Sequence, residues 1–143
     1  MGFFDRLLGR NPHDAEQAPH DAAPGDDEAG TAPLDPAQAE RASVRITEIQ
    51  EDLARGTGEG PALHEELGGL HEQLGDPLAA IDAYETSLAE QPRYGHSYNR
   101  LMDLYNTQRS EAAAAGDGDA INQWMSKIDE LLATSKRIMR ETY

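Results

Sequence analysis

Small and bulky residues occur at fixed positions between residues 61 and 92, and this spacing constrains the fold more than any other feature of the chain. Leu67 and Gly68 are adjacent, and Ala80 is followed four residues later by Tyr84. Because glycine has no side chain, a second helix can approach closely beside Gly68. Ala80 offers a similarly small surface from that second helix, and Tyr84 fills the space one turn further on. The pattern therefore predicts two closely packed helices.

The ends of these helices are marked by residues that stop or start a helix. Gly75 is placed to end the first helix. Asp76 followed by Pro77 favours the start of the second, with aspartate as the N-cap and proline in the first helical position. Pro92 ends the second helix, because proline cannot continue one. The segment is thus predicted to form one helix-turn-helix unit.

A second unit follows in register. Its first helix begins 34 residues after that of the first unit, with apolar residues at Tyr98, Leu101, Met102 and Tyr105. Its second helix carries a small and a bulky residue four apart, Ala120 and Trp124, but Ala120 lies 40 residues after Ala80. Six extra residues must therefore fall near the inter-helix turn, at residues 112–118. Either the first helix is longer or the turn bulges; the alanines favour the longer helix, which Gly116 would end.

Both units resemble the tetratricopeptide repeat, a 34-residue helix-turn-helix with the pattern W-x2-L-G-x2-Y…A-x3-F…P. The first unit departs from that pattern at His64 and His71, where the family usually has large aromatic residues. The resemblance implies stacked helix pairs that bind a partner rather than catalyse a reaction. It also implies that the first helix of each unit lines the concave, partner-binding face.

A further amphipathic helix is predicted upstream. Asp35 and Pro36 open it, and Gln38 completes the spacing of a capping box. Apolar or small residues then recur at helical spacing, at Ala39, Ala42, Ile46, Ile49 and Leu53. This stripe precedes the matching residues of the first unit by one period plus four residues, which the flexible residues 56–60 can absorb. The helix is either a half unit of the same repeat or an unrelated helix that covers the end of the stack.

The partner-binding surface follows from the resemblance. The predicted partner-binding residues are Glu65, Glu66, Glu72, Gln73, His96, Asn99, Arg100, Asp103 and Asn106. Some family members hold a terminal carboxylate with Lys, Asn and Arg; here Asn99 and Arg100 are suitable, but the first unit supplies glutamates instead. A basic or mixed peptide therefore fits this face better than a carboxylate-ended one. The alternative is that these residues are merely solvated.

The net charge of −15 is unevenly distributed. Residues 35–92 carry thirteen acids and three bases, whereas residues 93–143 carry seven of each. This imbalance argues against direct nucleic-acid binding, which needs clustered Lys and Arg. It indicates either an acidic surface that maintains solubility or a face that attracts a basic partner. The chain has no cysteine, no apolar run long enough to span a membrane and no recognisable secretory signal, so a cytoplasmic location is predicted.

The first 34 residues divide into two segments. Residues 1–10 place Phe3, Phe4, Leu7 and Leu8 on one face of a short amphipathic helix, which we call the docking patch. A helix this short needs a surface to bury against. The candidates are a membrane surface, perhaps the inner face of the cell membrane, a groove on a partner protein, or this chain's own repeat domain or a second copy. Residues 11–34 are rich in proline, glycine and acids and are predicted to be a disordered linker.

The search for reactive groups favours no catalytic or metal site. The glycines at residues 56–60 lack the following Lys-Ser/Thr of a phosphate loop. His64 and His71 share a helix face, but both occupy packing positions of the repeat, so half-buried core histidines are predicted rather than metal ligands. Asp117 and Asp119 lack the remaining ligands of a calcium loop. No cofactor is predicted.

Together these features predict an all-α protein: a short tetratricopeptide-like α-solenoid of about two and a half helical hairpins over residues 35–143, preceded by the linker and the docking patch. The predicted function is a non-enzymatic adaptor that binds a protein segment on its concave face. One rival is a structural or oligomerising subunit, because so few repeats and a long last helix favour self-association. The other is a metal-binding protein or enzyme with an unrecognised site.

Overall fold

A computed structural model describes residues 34–142 of the chain, with side chains described through residue 141. This part of the chain is all-α, with no strand among the described residues. The helices are α1 (Pro36–Arg55), α2 (Gly60–Gln73), α3 (Pro77–Glu90), α4 (His96–Ala114) and α5 (Gly118–Thr142). The docking patch (Phe3, Phe4, Leu7 and Leu8) and the predicted linker up to residue 33 lie outside the described residues.

Helix α1 begins with the capping box that the sequence predicts. The Asp35 side chain accepts a hydrogen bond from the backbone N–H of Gln38 at 2.8 Å, and the Gln38 side chain accepts one from the backbone N–H of Asp35 at 3.1 Å. Both contacts satisfy backbone donors that a helix N-terminus otherwise leaves unpaired. Ala42 and Ile49 are buried, and α1 packs against α2.

Helices α2 and α3 form one tightly packed pair joined by a three-residue turn. Gly75 has φ of 79°, a left-handed conformation that favours glycine, and it follows the last turn of α2. Asp76 accepts a hydrogen bond from the backbone N–H of Ala79, and Pro77 occupies the first turn of α3. These turn and capping predictions are confirmed.

The predicted close approach between the two helices is also present. Tyr84 and Ala80 are fully buried, and the Tyr84 ring lies directly against Gly68. A Cβ atom on Gly68 would lie 2.6 Å from the Tyr84 ring, which is closer than van der Waals contact allows. Only glycine therefore fits at position 68 without moving the ring.

Helices α4 and α5 form the second pair, and α4 packs on α3 as well. The six extra residues lengthen the first helix of the pair, since α4 has 19 residues where α2 has 14. Gly116, with φ of 72°, follows the end of α4, and Asp117 accepts a hydrogen bond from the backbone N–H of Ala120. The longer-helix alternative is therefore the correct one.

The main core lies between the two pairs. Tyr84 and Leu88 of α3 pack with Leu101 and Tyr105 of α4 and with Leu131 of α5. A smaller cluster joins α1 to the first pair through Ile49, Leu67 and Ala83. Each helix thus packs on the next along the chain, and α2 also touches α4. None of the described helices is both long enough and apolar enough to cross a membrane.

Candidate partner-binding groove

A groove of about 420 Å³ lies where α2 and α4 approach each other. Its lining residues are Ala62, Glu65, Glu66, Gly69, Leu70, Gln73 and His96. Four of them belong to the predicted partner-binding set. The remaining α4 members, Asn99, Asp103 and Asn106, follow His96 at helical spacing and continue the same face along the helix. The structure thus brings much of the predicted set onto two adjacent helices.

Glu72 and Arg100 of the predicted set bind each other. The guanidinium of Arg100 donates two hydrogen bonds to the Glu72 carboxylate, at 3.0 Å from Nε and 2.7 Å from Nη2. The Tyr84 hydroxyl donates a third, at 2.8 Å. This bidentate geometry is the strongest that a carboxylate and an arginine can form, and it links α2, α3 and α4.

The electrostatics of this network follow from burial and charge. Burial disfavours the charged carboxylate of Glu72, but the hydrogen bonds from Arg100 and Tyr84 outweigh it and lower its pKa. Burial, together with the neighbouring Glu72 carboxylate, raises the pKa of the Tyr84 hydroxyl well above its usual range. At neutral pH the network is therefore an ion pair with a protonated tyrosine as an additional donor.

Glu65 caps the N-terminus of a neighbouring helix. Its carboxylate accepts hydrogen bonds from the backbone N–H of Ser97 at 3.0 Å and from the Ser97 hydroxyl at 2.8 Å. Arg93 approaches the same oxygen at 3.4 Å. Helix α4 receives no hydrogen bond from a side chain at its own N-cap, Gly95. Glu65 of α2 therefore supplies, from another helix, the acceptor and the negative charge that a helix N-terminus favours.

Glu66 joins α2 to α1 at the surface. Arg45 donates to both of its carboxylate oxygens, at 2.7 Å and 2.9 Å. These hydrogen bonds from Arg45 hold the pKa of Glu66 below its usual value despite partial burial. The three groove glutamates are thus all engaged in contacts within the chain, a structural role that the sequence did not predict.

The groups that remain for a partner are mainly uncharged. Gln73, His96 and Asn99 are exposed, whereas the half-buried Asn106 donates a hydrogen bond to the backbone carbonyl of Met102. Asp103 is exposed and pairs with Arg100 at 2.8 Å. Amide side chains can donate and accept at once, so Gln73 and Asn99 suit the backbone of an extended peptide.

A second cavity of about 390 Å³ lies among α3, α4 and α5. At its edge the Glu85 carboxylate accepts hydrogen bonds from the Tyr105 hydroxyl and, at 2.8 Å, from Lys127. Burial, and then the Glu85 carboxylate, raise the pKa of the Tyr105 hydroxyl well above its usual range. These groups tie the three helices together, as Glu72 and its partners do on the other side of the first pair.

The histidines of the first unit lie in packing positions. His64 and His71 are half-buried, as predicted, and His64 Nε2 lies 3.8 Å from a Glu90 carboxylate oxygen. Within residues 34–142, no three His, Asp or Glu side chains gather in an arrangement that could hold a metal ion.

Comparison of the chain with protein-family models, curated proteins and solved structures found no match. The likeness to the tetratricopeptide repeat therefore stays a prediction, founded on residue spacing. The all-α architecture, the turns and the groove stand on the geometry described above.

Proposed function

We propose that this chain is a tetratricopeptide-like adaptor that binds a segment of a partner protein along α2 and α4. In this proposal, α1 is the half unit, and the α2–α3 and α4–α5 pairs are successive repeats of a short solenoid. The fit of Tyr84 against Gly68 supports it, as does the packing of each helix on the next. A cytoplasmic location belongs to the same proposal.

The groove between α2 and α4 carries the functional part of the proposal. It is concave, and its floor includes Gly69 and Leu70, with Gln73 and His96 among its walls. Such a site suits an extended segment, with apolar contacts along the floor and amide side chains that bond the peptide backbone.

The expected ligand is a basic or mixed peptide, attracted mainly at long range. The groove glutamates are already paired, so few negative charges remain for direct contact. However, residues 35–92 keep an excess of ten acids, thirteen against three bases. A field of that sign raises the association rate of basic segments and weakens as salt is added.

A peptide library displayed against the immobilised full chain tests the groove. We expect enriched peptides to carry net positive charge and to lose at least tenfold in affinity for the double variant Gln73→Lys and Asn99→Lys. Both residues are exposed and hold no structural contact in the described range, so folding should not change. Gln123→Lys, the same kind of substitution at an exposed position of α5, is the matched control and should bind as the natural chain does.

Two results would count against this proposal. The groove assignment fails if the control variant loses binding as strongly as the groove variant. The charge assignment fails if the enriched peptides are acidic or if their affinity does not fall between low and physiological salt.

The docking patch gives the adaptor its second contact, with a membrane surface or another protein. Its support is the sequence alone, with Phe3, Phe4, Leu7 and Leu8 on one predicted helix face. Deletion of residues 1–10 should abolish co-sedimentation with liposomes or with the second protein and leave thermal unfolding unchanged. A marked shift in unfolding temperature would instead assign the patch to the folded domain.

A further inference from the structure

Helix α5 carries an apolar stripe that the rest of the described chain does not cover. Met125, Leu132 and Met139 are 50%, 45% and 48% exposed and lie seven residues apart. Residues seven apart lie almost in line along a helix. The same helix already buries Leu131 and Ile138, so its apolar arc is wider than α4 and its neighbours can cover. We call the exposed line, with Leu132 at its centre, the α5 stripe.

Charges are arranged around the α5 stripe with opposite signs on its two sides. Asp129 lies three residues before Leu132, and Lys136 lies four residues after it. Both are exposed, and neither forms an ion pair with another residue of the range 34–142. Beyond them, Arg137 and Arg140 add positive charge to the C-terminal half. The stripe is therefore acidic on one side of Leu132 and basic on the other.

This arrangement is complementary to itself when a second copy is turned end for end. With Leu132 at the twofold axis, Met125 faces Met139 of the second copy, and Asp129 comes within a turn of Lys136 of the second copy. A twofold interface requires such a surface, since each pair must occur twice. A parallel arrangement would instead place Lys136 beside Lys136 and align the two helix dipoles unfavourably.

We propose that the α5 stripe is a dimer interface, occupied by α5 of a second copy of this chain in antiparallel orientation. The helix is about 37 Å long at 1.5 Å per residue, and one helix face buries less than the ~800 Å² per partner of a standard stable complex. We therefore expect a concentration-dependent dimer with a dissociation constant on the order of 10–100 µM. This proposal does not depend on the groove between α2 and α4.

The first test is the mass of the full chain by sedimentation equilibrium, from about 1 µM to about 1 mM. We expect a rise from monomer to dimer, and Leu132→Asp should weaken dimerisation at least tenfold. Leu78→Asp is the matched control, because Leu78 is 55% exposed and belongs to α3 rather than the stripe. Both variants should unfold at the temperature of the natural chain within a few degrees.

Charge exchange tests the antiparallel pairing. Asp129→Lys or Lys136→Asp alone should each weaken dimerisation roughly tenfold, because two attractive pairs become two repulsive ones. An equimolar mixture of the two variants should recover dimers, since each repulsive pair becomes attractive in the mixed dimer. A mixture that stays monomeric at the concentration where the natural chain is dimeric would overturn the proposed pairing.

Cross-linking tests the register, and the absence of native cysteine makes it clean. With a thiol cross-linker of about 10 Å, which matches helix packing distances, Leu132→Cys should link to itself, and Met125→Cys should link to Met139→Cys in a mixture. Met125→Cys alone should not, because its two copies would lie about 21 Å apart along the axis.

Several outcomes would overturn the proposal. A strict monomer at 1 mM would do so, as would a dimer that Leu132→Asp leaves intact. Efficient self-linking of Met125→Cys would show a parallel pair. Loss of the dimer on deletion of residues 1–10 would show that the docking patch, rather than a second α5, occupies the stripe.

Discussion

The α2–α3 pair and the α4–α5 pair use one packing arrangement with different tightness. In the first pair, Gly68 lets the Tyr84 ring become fully buried. In the second pair, the position equivalent to glycine holds Met102, and the bulky residue Trp124 is only half-buried. A side chain between two helices keeps them further apart, so the aromatic residue beyond it keeps part of its exposure. One missing glycine thus distinguishes a closed pair from a looser one.

The two pairs also differ in length, and the excess length creates exposed surface. Both helices of the first pair have 14 residues, whereas those of the second have 19 and 25. The short pair supplies the interlocked core, and the long pair extends beyond it with the α5 stripe. Stability and association are therefore expected to depend on different pairs.

Removal of the two bulky aromatic side chains gives the largest expected difference. Tyr84→Ala should lower the free energy of unfolding by about 4 kcal/mol, because a fully buried ring leaves a cavity. Trp124→Ala should cost only about 2 kcal/mol, because the ring is already half-exposed. Urea denaturation of both variants measures the two costs. Equal costs would show that the second pair is as closed as the first.

The adjacent glycines of α2 give the next largest effect, with opposite signs. Gly68→Ala should lower the free energy of unfolding by about 2 kcal/mol, because its Cβ collides with the Tyr84 ring and overpacking outweighs the better helix propensity of alanine. Gly69→Ala is the matched control: the nearest atom, the Tyr84 hydroxyl oxygen, lies 3.7 Å away. There we expect a gain of roughly 0.5–1 kcal/mol from propensity alone. Two changes of the same sign would refute the close approach.

Local features of the fold could be predicted from the sequence because they depend on residues close together in the chain. The capping box at Asp35, the cap at Asp76 and the turn at Gly75 each involve a few neighbouring residues. The contact between Gly68 and Tyr84 spans two helices, but the short turn between them limits how they can meet. For the same reason, the all-α class of the described residues followed from the helical periodicity.

The contacts of the glutamates could not be predicted in the same way. A glutamate on a helix surface has the same sequence signal whether water or an arginine surrounds it, and the difference depends on how distant helices cross. One signal was present: Glu65 and Arg93, like Glu72 and Arg100, are 28 residues apart. Two acid–base pairs with one separation indicate neighbouring helices in a regular arrangement.

The Glu72 network predicts a pH dependence that belongs to the junction of the two pairs. Because the folded pKa of Glu72 is lowered from its model value of 4.5, its stabilising effect is fully present above that value. The effect is lost as the pH falls through the lower folded pKa, when the carboxylate gains its proton. Glu72→Gln should therefore lower the free energy of unfolding by about 1–2 kcal/mol at pH 7 and by much less near pH 3.

Urea denaturation of Glu72→Gln and the natural chain at both pH values measures this difference. Asp82→Asn, at an exposed position of α3, is the matched control and should change stability by less than about 0.5 kcal/mol at either pH. A cost that stays the same from pH 7 to pH 3 would mean that the ionised carboxylate does not contribute.

The inter-helix turns should give the smallest effect, and the two pairs should agree in it. Gly75 and Gly116 have φ of 79° and 72°, and neither has another residue within 4 Å of the place where a Cβ would lie. Alanine at either position therefore meets a backbone penalty and no steric one, about 1 kcal/mol in each case. Urea denaturation of the two single variants should give the same cost within error. An unequal cost would show that the pairs differ at their turns, and the difference in tightness would then not be attributable to Gly68 and Met102 alone.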